Sequence, residues 1–449
     1  MIKRKIDNEL RRFYKESTKA LLLTGARQTG KTFSIRNFGN EFENFIEINF
    51  IEMPEAVNLF ANASDSADIL RRISIIAAKP LIKGKTLIFF DEVQECPEIV
   101  TAIKFLVEEG SYRYILSGSL LGVELKNLRS EPVGYMGVRE MFPLSLEEFF
   151  IAMGVSESII DHIRHQWELK KPIDEFIHNK MMELFRLYLI IGGMPAVVAK
   201  FIETNNLRNV YDEQRDIIQL YLRDITKYSS IDKRLKIREI FNLIPSELNT
   251  KNKRFILKKL NENAKFDRLE DSFLWLSNAG VALPTYNIEE PKIPLLLSKS
   301  RNLFKLFQND VGLLAAQYAD GTQLELIQGH LNINYGAIYE NVVAQELKAN
   351  GFELYYYNNK KRGEIDFVIE YNHKVLPIEV KSGKDYESHR ALSNTLVCRD
   401  YEIPLSLVLC NDNLHCNDKI IYMPVYMLMF IRKIPAVDYI YKPDLTALA

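Results

Sequence analysis

Apolar positions recur at different periods along this chain, and the changes of period divide it. From residue 20 to about 152, short runs of consecutive apolar residues alternate with segments of helical period, the pattern of strands buried on both faces between helices. Residues 6–18 predict a short charged helix. Residues 20–23, 44–50, 86–90 and 112–116 predict strands, with helical patterns filling the interval to about 78 and residues 97–109. Strands alternating with helices predict an open parallel α/β sheet. From about residue 153 the pattern changes to long helices. Residues 174–191 and 207–228 have helical periodicity, separated by the break Gly192-Gly193-Met194-Pro195. Helical segments run on to 243, over 255–260 and over 269–278, and a hairpin is predicted from strands 281–287 and 293–298. After residue 332 a helix over 339–347 leads into strands at 352–357, 362–369 and 375–381, with further strand or helix over 403–409 and 420–430.

Chemistry enters at the first of these strand ends. Gly25-Ala26-Arg27-Gln28-Thr29-Gly30-Lys31-Thr32 reads G-x-x-x-x-G-K-T between an apolar run and a helix-compatible segment. The glycines allow backbone N–H groups to turn inward around phosphates, and the helix start adds unpaired donors and a favourable dipole. Lys31 is expected to reach the β- and γ-phosphates of ATP, and Thr32 to place its hydroxyl on Mg²⁺. The strand over 86–90 runs into Asp91 and Glu92, which puts two carboxylates at the edge where open α/β sheets bind ligands. Asp91 is expected to hold Mg²⁺ and Glu92 to act as the base that polarises the attacking water.

Four segments together carry a resemblance: residues 22–32, Phe90-Asp91-Glu92-Val93-Gln94, Leu116-Ser117-Gly118-Ser119, and residues 142–149. They resemble the large prokaryotic family of AAA-type ATP-binding proteins that carry a C-terminal domain of unknown function. Gly192-Gly193-Met194-Pro195, residues 275–280 and residues 310–314 fit the same family. The resemblance implies an AAA+ core over 1–152 and a helical lid over 153–230. It also implies a polar residue after the fourth strand that senses the γ-phosphate. Ser117 or Ser119 fills that position, and a turn rich in Ser and Gly explains the same residues. Tyr135 follows Gly134 where many members carry a basic residue. Arg129 and Arg139 lie nearby, and neither is assigned as an arginine finger.

Residues 231–330 resemble a winged helix, with Lys251, Lys253, Arg254, Lys258 and Lys259 as a basic cluster for phosphate contact. Acids at Asp267, Glu270 and Asp271 argue against a recognition helix there. Residues 331–449 resemble the PD-(D/E)XK nucleases. Period two puts Glu379 and Lys381 on one sheet face, and a hairpin brings Asp366 beside them. The resemblance implies that Asp366 and Glu379 hold Mg²⁺, that Glu340 supports it, and that Lys381 orients the water.

Composition narrows the picture only slightly. The 449 residues carry a net charge of −1, which excludes a global pull toward nucleic acid. Cys96, Cys398, Cys410 and Cys416 form no C-x-x-C pair, as expected of free thiols in a reducing, cytoplasmic setting. The N-terminus lacks the apolar core of a signal peptide, and no run is long enough to span a membrane. The expectation is a multidomain α/β ATPase using ATP and Mg²⁺, coupled to a nuclease-like domain that acts on nucleic acid. The alternative is a nucleotide-dependent switch that binds a protein partner through an inactive C-terminal half. The sequence sets no oligomeric state.

Overall fold

The computed structural model describes residues 2–61, 63, 65–118, 134–227, 231–250, 253–256, 266–318 and 335–433. Five parallel strands form the first sheet: β1 (Ala20–Thr24), β2 (Asn44–Asn49), β3 (Thr86–Asp91), β4 (Arg113–Ser117) and β5 (Met136–Glu140). Their spatial order is β2-β3-β4-β1-β5. All six residues of β3 are buried. Alternate residues serve opposite faces, which is why the run must be apolar throughout. Ile88 and Phe90 join Ala20 and Leu22 in a core under α3 (Ser66–Ala77) and α4 (Glu98–Glu109). Leu87 and Phe89 join Leu21 and Leu23 on the other face, under α1 (Lys5–Glu16) and α2 (Lys31–Gly39). The strand β5 has no apolar run to announce it. It is held by β1, and its Gly137 lets the Phe13 ring come where a Cβ would stand 2.6 Å from it.

Seven helices follow among the described residues: α5 (Leu146–Ala152), α6 (Glu157–Leu169), α7 (Glu175–Ile191), α8 (Pro195–Thr204), α9 (Leu207–Lys227), α10 (Ile231–Leu248) and α11 (Phe266–Asn278). None is long and apolar enough to cross a membrane as a single helix. The Gly192-Gly193 break is a junction. Gly192 has φ +71°, and a Cβ there would lie 2.2 Å from Asp310 Oδ1; one on Gly193 would lie 2.2 Å from the Leu144 carbonyl oxygen. Only glycine allows the first sheet's exit, the long helix α7 and the segment around Asp310 to meet so closely.

The second sheet has eight strands: β6 (Ala282–Ile288), β7 (Lys299–Gln308), β8 (Tyr355–Asn359), β9 (Gly363–Tyr371), β10 (Lys374–Val380), β11 (Ser406–Cys410), β12 (His415–Asn417) and β13 (Ile420–Pro424). Their order is β12-β13-β11-β10-β9-β8-β6-β7. Here several expectations are corrected. The hairpin read as a wing is not free-standing: β6 pairs in parallel with β8, Tyr286 opposite Tyr355, and so continues the C-terminal sheet. Five of its seven residues are buried, which a strand with one solvated side would not need. The division expected at residue 331 therefore falls between strands of one sheet. The second arm of the hairpin is also displaced. Residues 293–298 hold a short 3₁₀ turn, Leu295–Ser298, and the strand begins at Lys299. Pro291 and Pro294 remove two ladder donors, and Leu296 and Leu297 stand exposed. The helix expected over 255–260 is absent from residues 253–256, and the remainder lies outside the described residues. Two helices, α12 (Val311–Ala316) and α13 (Tyr335–Ala349), pack between this sheet and α7.

Candidate nucleotide-binding site

The loop between β1 and α2 is shaped by positive φ at Gly25 (+128°), Gln28 (+67°) and Gly30 (+94°). Gly25 must be glycine, because a Cβ would lie 2.2 Å from the Met141 carbonyl oxygen. Gly30 is the left-handed N-cap of α2, so the helix starts at Lys31 with its first N–H groups unpaired within the helix. Lys31 is buried, and its Nζ donates to the carbonyls of Gly25 (2.9 Å) and Ala26 (2.8 Å). Burial pushes its ammonium down to about 8, against the pull of Glu92 and Asp91. Thr29 is buried with its hydroxyl on the Ala26 carbonyl, Arg27 is partly buried, and Gln28 points to solvent.

The acids arrive from the neighbouring strands. β4 lies between β1 and β3, so Ser117 at its end stands between the loop and Asp91. Asp91 is buried at the end of β3 and collects four donors. Thr32 Oγ1 (3.1 Å) and Asn49 Nδ2 (3.3 Å) reach Oδ2; the Glu92 N–H (3.0 Å) and the Ser117 hydroxyl reach Oδ1. Burial raises the Asp91 carboxyl, partly offset by the Ser117 hydroxyl. Glu92 takes φ +55° as the chain leaves the strand, and its carboxylate accepts Gln94 Nε2 at 2.5 Å. A hydroxyl beside a carboxylate, under a helix N-terminus with a lysine that pairs directly with no carboxylate among the described residues, is a donor set that suits Mg²⁺ with a phosphate chain. The structure thus brings together Lys31, Thr32, Asp91, Glu92 and Ser117. Ser119 and Arg129 lie outside the described residues. Arg139 sits on β5 with Nε 3.9 Å from Glu9.

Several residues around the loop carry no motif. Arg4, buried, donates to the Thr29 carbonyl (2.8 Å), the Phe142 carbonyl (2.7 Å) and Glu148 (3.0 Å). From α9, Asp224 pairs with Arg27 at 2.5 Å, and the Tyr221 hydroxyl donates to the Arg27 carbonyl at 3.0 Å. Gly280, just after α11, packs so close that a Cβ would lie 3.0 Å from the Ala26 nitrogen. The loop is therefore gripped by the N-terminal segment, a lid helix and the entry to the second sheet. Only the closeness of Gly280 left a trace, in the Asn278-Ala279-Gly280 stretch of the family pattern.

The second acidic cluster also assembles. Glu340 on α13, Asp366 on β9, Glu379 on β10 and Lys381 after it converge, with Glu379 Oε1 3.0 Å from Lys381 Nζ and the Val380 N–H on Asp366 Oδ2 at 2.9 Å. Two lysines that sequence reasoning had not placed there are among them. Lys305 of β7, fully buried, lies 2.8 Å from Glu364, 3.5 Å from Glu340 and 4.0 Å from Asp366; Lys253 pairs with the other Glu340 oxygen. Burial opposes the Lys305 charge, but Glu340, Glu364 and Asp366 outweigh it and hold the ammonium above its ordinary range. Burial likewise works against Glu340, which Lys305 and Lys253 hold below its ordinary range; burial and the neighbouring Glu340 and Glu379 drive Asp366 well above its own. Among the described residues no group of three or more His, Cys, Asp or Glu side chains can hold a metal ion. The expected Mg²⁺ site is corrected accordingly. Of the three residues expected to hold Mg²⁺ there, Glu340 meets an ammonium group at each oxygen, Glu379 meets Lys381 at Oε1 and keeps Oε2 buried without a hydrogen-bond partner among the described residues, and Asp366 accepts the Val380 N–H with Lys305 4.0 Å from its other oxygen. Lys253, expected on a phosphate-binding face, is turned inward; Lys251, Lys258 and Lys259 lie outside the described residues.

The first sheet and the loop at its edge define a P-loop ATPase domain of the AAA type. A family model described as an AAA domain matches residues 17–150, and two described as domains of unknown function match residues 182–324 (DUF8612) and 335–428 (DUF4143). No curated protein matches the sequence. Among solved structures, the chain is similar to the Walker-type ATPase of Pyrococcus abyssi, with 13% identity, 71% of this chain and 96% of that one covered, and a TM-score of 0.43. It is also similar to the Orc1 protein of Aeropyrum pernix in complex with DNA (11%, 73% and 93%, 0.31) and to the RuvB Holliday junction branch migration motor of Thermotoga maritima (15%, 66% and 91%, 0.29). TM-scores of this size carry no argument about function. The class assignment rests on the family match and on the site.

Proposed function

We propose that this protein binds ATP with Mg²⁺ at the Gly25–Thr32 loop, hydrolyses it, and uses the bound nucleotide as a switch for a partner-binding C-terminal half. The observation that carries the reading is the convergence of Lys31, Thr32, Asp91, Ser117 and Glu92 at one edge of a parallel sheet. Lys31 exchanges its two backbone carbonyls for phosphate oxygens, which restores the charge that burial disfavours. Thr32 and Asp91 hold Mg²⁺, which when bound neutralises charge developing on the phosphates. Ser117 keeps the Asp91 carboxylate oriented. Glu92 polarises the attacking water once its carboxylate turns from Gln94. The route to the C-terminal half is the grip on the loop: Arg27 on Asp224, and Gly280 on Ala26, both respond if the loop opens around a triphosphate.

Action on nucleic acid has less behind it, since Lys253 is occupied by Glu340. The test is ATP binding and phosphate release by wild type, Lys31→Ala and Glu92→Gln, with and without DNA. Lys31→Ala is expected to lose binding. Glu92→Gln is expected to bind normally and to hydrolyse about 10²- to 10⁴-fold more slowly. Hydrolysis at the wild-type rate by Glu92→Gln removes the base assignment, and stimulation by DNA favours the nucleic-acid reading over the switch.

A further inference from the structure

A divalent cation needs carboxylate oxygens converging on one point at roughly 2.0–2.6 Å. In the C-terminal cluster that point is taken. Lys305 enters from the edge strand β7 with no exposed surface, passes 5.0 Å from the centre of the Tyr356 ring, and places its ammonium among Glu364, Glu340 and Asp366. Lys253 covers the other oxygen of Glu340, and Lys381 covers Oε1 of Glu379, whose Oε2 is left buried without a hydrogen-bond partner among the described residues. The carboxylates come from α13, β9 and β10, the ammonium groups from β7, the segment before α11 and the end of β10. For a metal to enter, Lys305 must leave Glu364 and remain buried without a partner, or lose its proton; both are costly in a site of low polarisability.

We infer that Lys305 stands permanently where a nuclease-like site would hold its metal, so that the C-terminal cluster takes no divalent cation and serves as an ionic lock. The lock fastens the edge strand β7 to α13 and to the β9–β10 hairpin. It makes the domain a metal-independent scaffold with the layout of a hydrolytic site and none of its cation chemistry. This goes beyond the reading of the phosphate loop, which stands or falls separately.

The probe is Mn²⁺, followed by the electron paramagnetic resonance of the free ion. It is titrated into nucleotide-free full-length Lys31→Ala protein, in which the phosphate loop is disabled. The comparison is the same protein with Asp366→Asn added. Expected is the same weak background in both, with no saturable site below roughly 1 mM. A site present with Asp366 and lost with Asp366→Asn overturns the inference, and needs no change at Lys305. Lys305→Met, which keeps the buried stem and removes the charge, is expected to gain a site at least about tenfold tighter than that background, lost again with Asp366→Asn. A folded Lys305→Met protein that gains no such site also overturns the inference. A Lys305→Met protein that does not fold supports the lock, provided the first comparison shows no site.

Discussion

Glu346 offers a stringent test of how the C-terminal half is joined to the ATPase core. It lies on α13, fully buried, and its Oε1 accepts the Leu146 N–H at 2.6 Å, at the first turn of α5. Its second oxygen is buried with no hydrogen-bond partner. Burial raises the carboxyl from 4.5 to about 7, and neighbouring Glu148 adds to the rise, while Lys5, the Leu146 N–H and Arg432 only partly oppose it. A carboxyl raised in the folded state holds its proton more tightly than in the unfolded chain. Its contribution is therefore present at low pH and is lost as pH rises from about 4.5 to about 7, then stays constant. The interval of about 2.5 pH units corresponds to about 3 kcal/mol. Glu346→Gln keeps an oxygen for the Leu146 N–H and removes the titration. Urea unfolding of both proteins, followed by the fluorescence of Trp167 and Trp275, gives their stability difference at pH 4.5 and pH 8. The variant is expected to gain about 3 kcal/mol on wild type between the two values. A difference that is the same at both pH values refutes the reasoning, because Glu346 then binds its proton equally well in the folded and the unfolded chain.

Two further expectations follow from the same geometry. Gly192→Ala combines a left-handed backbone with a Cβ 2.2 Å from Asp310 Oδ1, and is expected to destabilise by at least about 2 kcal/mol; Gly154→Ala, with φ +96° and open space around it, isolates the backbone term and should cost about 1–2 kcal/mol, both read from thermal unfolding. Ser117→Ala leaves Asp91 Oδ1 with the Glu92 N–H alone, and is expected to slow phosphate release about tenfold or more while ATP affinity changes little; an unchanged rate would show that Ser117 does not act through Asp91.

The ATPase core was legible because its signals are local. Short continuous apolar runs that alternate with helical segments fit strands buried on both faces, and eight consecutive residues encode the phosphate loop through backbone freedom and a helix start. The order of Asp91 and Glu92 at a strand end followed from the same pattern. Residues 339–381 were similarly open to reading: period two alone places Glu379 and Lys381 on one face, and the hairpin places Asp366 near them. The strand β5 escaped, since nothing in Met136-Gly137-Val138-Arg139-Glu140 alternates cleanly and its place is owed to β1.

What the sequence determined by itself is therefore the chemistry each short stretch can offer. What only the tertiary structure decided is which stretches meet. Lys305 is one charge in the apolar run Leu303-Phe304-Lys305-Leu306-Phe307, and a lone lysine there says nothing of the carboxylates 35 to 61 residues further on. Arg4 on Thr29, Asp224 on Arg27 and Gly280 on Ala26 are of the same kind. So is the joining of β6 to β8, which turned an expected wing into part of an eight-stranded sheet. The reason is physical: propensity and period act over a few residues, whereas pairing of buried charges and of strand edges is settled by burial across the whole chain.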